Sequence, residues 1–181
     1  MPAAKTVHIR IIEEAETIMD CIHHYDSPLG GITLACDGEA LTGLWFDGQR
    51  YFGETLDPMH EEALLPVLGE AVRWLDLYFG GRAPGFLPKL RLRATPFRIT
   101  VWEILLAVPY GKTATYKEIA ERTAKRLCLP GMSAQAVGGA VSHNPVSLII
   151  PCHRVVGADG SLTGYAGGME RKRQLLEMEK R

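Results

Sequence analysis

Between Cys21 and Phe52 apolar and polar residues alternate, and the run is cut by SPLGG, CDGEA and FDGQR. Alternation in segments such as ITLAC and LTGLWF, bounded by Gly, Pro and Asp, predicts short strands in an antiparallel meander. From His60 to Phe79 the period lengthens. In HEEALLPVLGEAVRWLDLYF apolar residues return at three- and four-residue spacing, and Gly80–Gly81 follow, which predicts one helix with a glycine stop. RAPGFLPKLRLRA, rich in proline and basic residues, reads as a linker. The first twenty residues show no core pattern beyond a short helix-like stretch and read as a tail.

The second half is patterned mostly as helix. TPFRITVWEILLAVPYGK offers Thr95 as N-cap, Pro96 at the first helical position and a stop near Pro109–Gly111. TATYKEIAERTAKRL is amphipathic, LPG is a turn, and MSAQAVGGAVSHNP is a short helix of small residues ended by Asn144–Pro145. Two short helices about a Pro/Gly turn have the form of a helix-turn-helix. Many helix pairs in bundles share it, and Gly138, Gly139 and Ala140 equally suit close helix packing or a close backbone approach to a ligand. MERKRQLLEMEKR closes the chain as a helix with Leu175, Leu176 and Met178 available to a core. The expected fold class is α+β. A tail (1–20) precedes an N-terminal antiparallel-sheet domain with a helix (21–90) and a mostly helical domain (91–181) containing the helix-turn-helix.

Composition changes this picture in two places. With 181 residues, 46% hydrophobic and 23% charged, the chain can bury a core, and no apolar run approaches the roughly 20 residues of a membrane helix. No signal-peptide pattern opens it, and Cys21, Cys36, Cys128 and Cys152 are too scattered for a disulfide scaffold, so reduced thiols in a cytoplasm are expected. The net charge of −1 conceals a division: residues 1–86 hold five Lys/Arg and fourteen Asp/Glu, residues 87–181 fifteen and seven. The basic second half can face phosphates, or the two halves simply attract one another.

IIPCHRVVG places a thiol, an imidazole and a guanidinium side by side at Cys152, His153 and Arg154. A nucleophilic cysteine needs a base or a positive charge nearby. Pro151 favours extended geometry before it, and in an extended segment neighbouring side chains point to opposite faces. Direct contact between His153 and the sulfur is therefore not expected, and a water or a sharp turn must intervene. On the residues alone, a buried, inert thiol is an equal reading.

NPVSLIIPCHRVVGADGSLTGYAGG resembles the active-site segment of the methylated-DNA–protein-cysteine methyltransferases, the O6-alkylguanine-DNA alkyltransferases. The likeness extends through TPFRITVWEILLAVPYGKTATYKEIAER and AVGGAVSHNP to the last helix, and more weakly over DSPLGGITLA. The resemblance implies that Cys152 accepts an alkyl group from guanine O6 by direct displacement, irreversibly and once per molecule. It implies a relay from Glu179 through His153 and a water to Cys152, with Asn144 buttressing the turn. Tyr116 would give a proton toward guanine N3, Tyr165, Ala166 and Gly167 would wall the base pocket, and the Cys152 and Val155 carbonyls would accept from the guanine amino group. Arg154 would tie the segment to the N-terminal domain.

The implied partner is double-stranded DNA, bound through the minor groove as a monomer with the alkylated base flipped out, O4-alkylthymine being a further candidate substrate. Gln135, Ala136, Gly138, Gly139 and Thr115 would meet the DNA. Gln135 stands where the family often has an arginine, so it can fill the vacated stack but brings no charge. No cofactor is implied. Cys21, His23, His24 and Cys36 do not align with the zinc site of some members, and no metal is expected. The rival readings are an alkyltransferase-like protein that binds lesions without transfer, a cysteine hydrolase that turns over, and a helix-turn-helix regulator. Cys152 argues against the first, and the shortage of polar residues on the second helix against the last.

Overall fold

The computed structural model describes residues 19–180; the expected tail lies outside them but for its last two positions. Alternating sequence gives β1 (Asp20–Ser27), β2 (Gly30–Cys36) and β3 (Leu41–Phe46), an antiparallel meander. The turn after Ser27 closes at Gly30, whose φ of 110° suits glycine. Two features depart from the expected pattern. Residues His60–Glu62 form β4, a strand parallel to β1, so the sheet is mixed, with order β3-β2-β1-β4. The helix α1 then runs only from Pro66 to Phe79. Leu65, directly before the proline, is extended at φ −78°, ψ 160°, because the proline ring disfavours helical geometry at its predecessor. Leu68, Ala71, Leu75 and Tyr78 are fully buried on one face of α1, which packs on the sheet.

The helical part opens with α2 (Pro96–Leu106), whose first turn is capped by Thr95 through the Arg98 N–H. It continues through β5 (Ala114–Thr115), α3 (Tyr116–Arg126) and α4 (Ala134–Ser142) to β6 (Val155–Val156) and α5 (Met169–Glu179). Helices α2, α3 and α4 pack on one another, and the Trp102 indole donates to the Ala140 carbonyl at 2.8 Å. The packed pair α3–α4 stands where the helix-turn-helix was expected. No helix among the described residues is long and apolar enough to cross a membrane.

The two parts meet through backbone. The Leu44 N–H donates to the Pro145 carbonyl and the Ser147 N–H to the Leu44 carbonyl, both at 2.8 Å. The segment leading to Cys152 is thereby bonded to the edge of the sheet. Downstream, β6 pairs in parallel with β5, Ala114 opposite Val155 and Thr115 opposite Val156. Cys152 lies between these two anchors.

Candidate active site

Of the two possibilities the sequence left open after Pro151, a sharp turn is present. Cys152–Arg154 form a single 3-10 turn, and Pro151 has φ −82° and ψ 63°. Two tight bonds bend the approach to it, from the Ile149 N–H to the Ser147 carbonyl and from the Cys152 N–H to the Ile150 carbonyl, each 2.8 Å. Leu148 takes a left-handed φ of 69°. Asn144 holds this bend from inside: its amide nitrogen donates to the Ile150 carbonyl at 2.7 Å and reaches Cys152 Sγ at 3.1 Å. Its Oδ1 accepts from the Val146 N–H at 3.0 Å.

Behind the sulfur lies a buried polar cluster. His153 Nε2 is 2.6 Å from Glu179 Oε1, and a carboxylate can only accept, so the ring proton sits on Nε2. That leaves Nδ1 as the basic nitrogen, and it has no hydrogen-bond partner among the described residues. Arg154 grips the same carboxylate with Nε at 2.8 Å and Nη2 at 3.0 Å, and donates Nη1 to the Val108 carbonyl at 2.7 Å. Arg154 therefore ties the turn to α5 and to the end of α2, not to the N-terminal part as the resemblance implied. The Tyr78 hydroxyl of α1 donates to Glu179 Oε1 at 2.7 Å, and the Gly111 N–H to Oε2 at 3.1 Å. Gly111 has φ 72°, and a Cβ there would lie 2.8 Å from the Glu179 carbonyl, so only glycine fits.

This environment sets the proton affinities. Burial pushes the Cys152 thiol up, opposed by the Asn144 hydrogen bond and the charge of Lys172. Burial pushes His153 down, opposed by Glu179. Burial alone would raise Glu179, but the bonds from His153 and Arg154 prevail and hold it well below the usual carboxylate range. Lys172 is buried and lowered to about 8 by burial; its Nζ donates to the Val155 and Thr163 carbonyls.

In front of the sulfur opens a cleft of about 330 Å³, walled by Tyr116, Gly138, Cys152, Tyr165, Ala166 and, unexpectedly, Arg50. The Tyr116 hydroxyl reaches the Gly164 carbonyl at 3.1 Å, and the Tyr165 hydroxyl is buried with no partner among the described residues. Gly167 lies beneath Tyr165, where a Cβ would meet the ring at 2.5 Å. Val155 is not in the wall. Its carbonyl accepts from Lys172. On α4, Gln135, Ala136 and Gly139 are exposed and Gly138 faces the Tyr116 ring. Thr115 closes a capping box with Glu118 through its hydroxyl and N–H at the start of α3.

Three residues at the site carry no signal in the sequence. Tyr78 sits on the apolar stripe of α1 and reads as core, Lys172 hides in the charged run MERKRQ, and Arg50 reads as part of a turn. Only the fold brings them to Cys152.

Comparison with known proteins converges on one family. The family model described as the 6-O-methylguanine DNA methyltransferase, ribonuclease-like domain, matches residues 21–90, and that of the same enzyme's DNA binding domain matches residues 96–181. A methylated-DNA–protein-cysteine methyltransferase of Mycobacterium tuberculosis is 46% identical over 162 residues, covering 87% of this chain and 92% of the relative. One of Haemophilus influenzae is 38% identical over 159 residues, covering 87% and 84%. The crystal structure of Mycobacterium tuberculosis OGT in complex with DNA superposes with a TM-score of 0.75 at 44% identity, covering 88% of this chain and 92% of that one. The chain belongs to the 6-O-methylguanine DNA methyltransferase family.

Proposed function

We propose that this protein repairs DNA by moving the alkyl group from guanine O6 to Cys152. The observation that carries the reading is a cleft-lining thiol backed by a histidine whose basic Nδ1 has no partner among the described residues, and whose other nitrogen is fixed on a buried carboxylate. A water between Nδ1 and Sγ completes the relay from Glu179 through His153 to Cys152. The thiol proton leaves to His153. Sulfur attacks the alkyl carbon, the carbon–O6 bond breaks, and its electrons pass into the purine. Tyr116, in the cleft wall, donates a proton to guanine N3 so that a neutral base departs, and is reprotonated from solvent. A thioether is not a leaving group under these conditions, so each molecule acts once.

A base paired in a duplex cannot reach a thiol as buried as Cys152, so the nucleotide flips out at a cost of roughly a few kcal/mol. The exposed residues Gln135, Ala136 and Gly139 put the small-residue face of α4 against the minor groove, where Gln135 fills the vacated stack. The test is intact-protein mass after mixing with excess duplex carrying O6-methylguanine, beside Cys152→Ser. A gain of one methyl group per chain, stopping at one equivalent and absent from the Ser variant, is expected. Binding without mass gain would make this a lesion-binding protein instead, and continuous turnover would make it a hydrolase.

A further inference from the structure

Arg50 shares the cleft wall with Cys152 and Tyr116 but comes from the turn after β3. Its backbone N–H donates to the Ala166 carbonyl at 3.0 Å, pinning that turn to the loop that walls the cleft. The next residue, Tyr51, sits at φ 60°, a left-handed conformation uncommon outside glycine. Stacking holds it there. The Tyr51 ring lies on the His143 ring with centroids 3.8 Å apart, and the Arg50 guanidinium carbon is 4.8 Å from the Tyr51 ring centroid. His143 in turn caps the C-terminal end of α4 and reaches Glu54 Oε2 at 2.7 Å. The guanidinium is thus preorganised at the end of α4, exposed, and in no ion pair among the described residues.

Its setting makes the charge informative. Residues 21–86 hold three basic side chains, Arg50, Arg73 and Arg82, against ten acidic ones. Such a unit repels a polyanion, and Arg50 places a cation where that unit borders the cleft. The other end of α4 carries Gln135, without charge. Seven residues, about 10 Å of helix, separate Gln135 from Ser142, so Gln135 and Arg50 serve opposite ends of the same helix.

We propose that Arg50 is a phosphate clamp: its guanidinium binds a backbone phosphate of the DNA strand whose base occupies the cleft, beside the C-terminal end of α4. The inference rests on the DNA-repair reading above. A planar guanidinium suits two phosphate oxygens at once, and its stack on Tyr51 limits the freedom lost on binding.

The test uses full-length Cys152→Ser protein, so that the duplex is not consumed, and a fluorescent O6-methylguanine duplex titrated between about 50 and 200 mM salt. Losing one phosphate contact lowers the slope of log affinity against log salt by about 0.9. Arg50→Gln is therefore expected to bind more weakly at the low-salt end, with the deficit shrinking about 3.5-fold by the high-salt end, and Arg50→Lys is expected to restore the slope. An unchanged slope, or an affinity loss equal at every salt concentration, overturns the clamp. The methyl-gain measurement on protein with Cys152 intact reports the repair reading separately. Methyl gain with an unchanged slope removes only the clamp; an Arg50-dependent slope without methyl gain removes only the transfer.

Discussion

Glu179 receives five donors: His153 Nε2, the Tyr78 hydroxyl, two nitrogens of Arg154 and the Gly111 N–H. A carboxylate offers about four lone-pair sites, so the group is saturated and its charge is what the cluster is built around. Glu179→Gln keeps the shape but leaves Arg154 buried opposite an amide that donates as well as accepts. A loss of about 3–5 kcal/mol is expected in urea unfolding at pH 7, the range for breaking a buried pair, together with a slower methyl gain. The pH dependence has a definite sign. Because the folded carboxyl is held below its ordinary value of 4.5, its contribution is fully present above the unfolded value and is lost as pH falls toward the folded one. The stability gap between wild type and variant should hold through neutral pH and close below about 4.5.

At the level of elements, α4 is the segment in which stability and function compete. Gly139 lies in the helix, exposed, with open space where a Cβ would stand. Gly139→Ala should therefore stabilise the fold by about 0.5–1 kcal/mol, since alanine loses less backbone entropy in a helix. If α4 meets DNA as proposed, the same methyl group obstructs the backbone approach, and duplex affinity should fall while the melting temperature rises. Unchanged affinity would move the DNA surface away from Gly139. Local patterning was legible here: Thr95, Pro96 and the Pro/Gly turn marked helix ends correctly. It failed at His60–Glu62, where a three- and four-residue recurrence of apolar residues masked a strand whose partner, β1, lies some forty residues earlier.

For the whole molecule, the two parts share one polar cluster. Tyr78 from α1 reaches a carboxylate on the last helix, 101 residues away in sequence, and Leu44 of β3 is bonded to Pro145 and Ser147. Unfolding the sheet would strip Glu179 of a donor and free the segment before Cys152. Tyr78→Phe is expected to cost about 0.5–1.5 kcal/mol, the net worth of a hydrogen bond. Wild type and variant should each unfold in a single urea transition, coincident by circular dichroism and by tryptophan fluorescence, because Trp45 and Trp74 report on the N-terminal part and Trp102 on the helical part. Separate transitions would show that the cluster does not couple the two.

Hydrophobic period, turn residues and caps are local, so the meander and α2 to α5 could all be read from the amino-acid order. The PCHRV segment with its flanking motifs was enough to name the family, and with it Cys152, His153, Asn144, Tyr116, Tyr165 and Glu179 as candidates. What those residues touch was settled by tertiary contacts. These directed Arg154 to α5 and brought Tyr78, Lys172 and Arg50 to the site. Such contacts join segments far apart in the chain, and burial and electrostatics act through them. No window of sequence contains them.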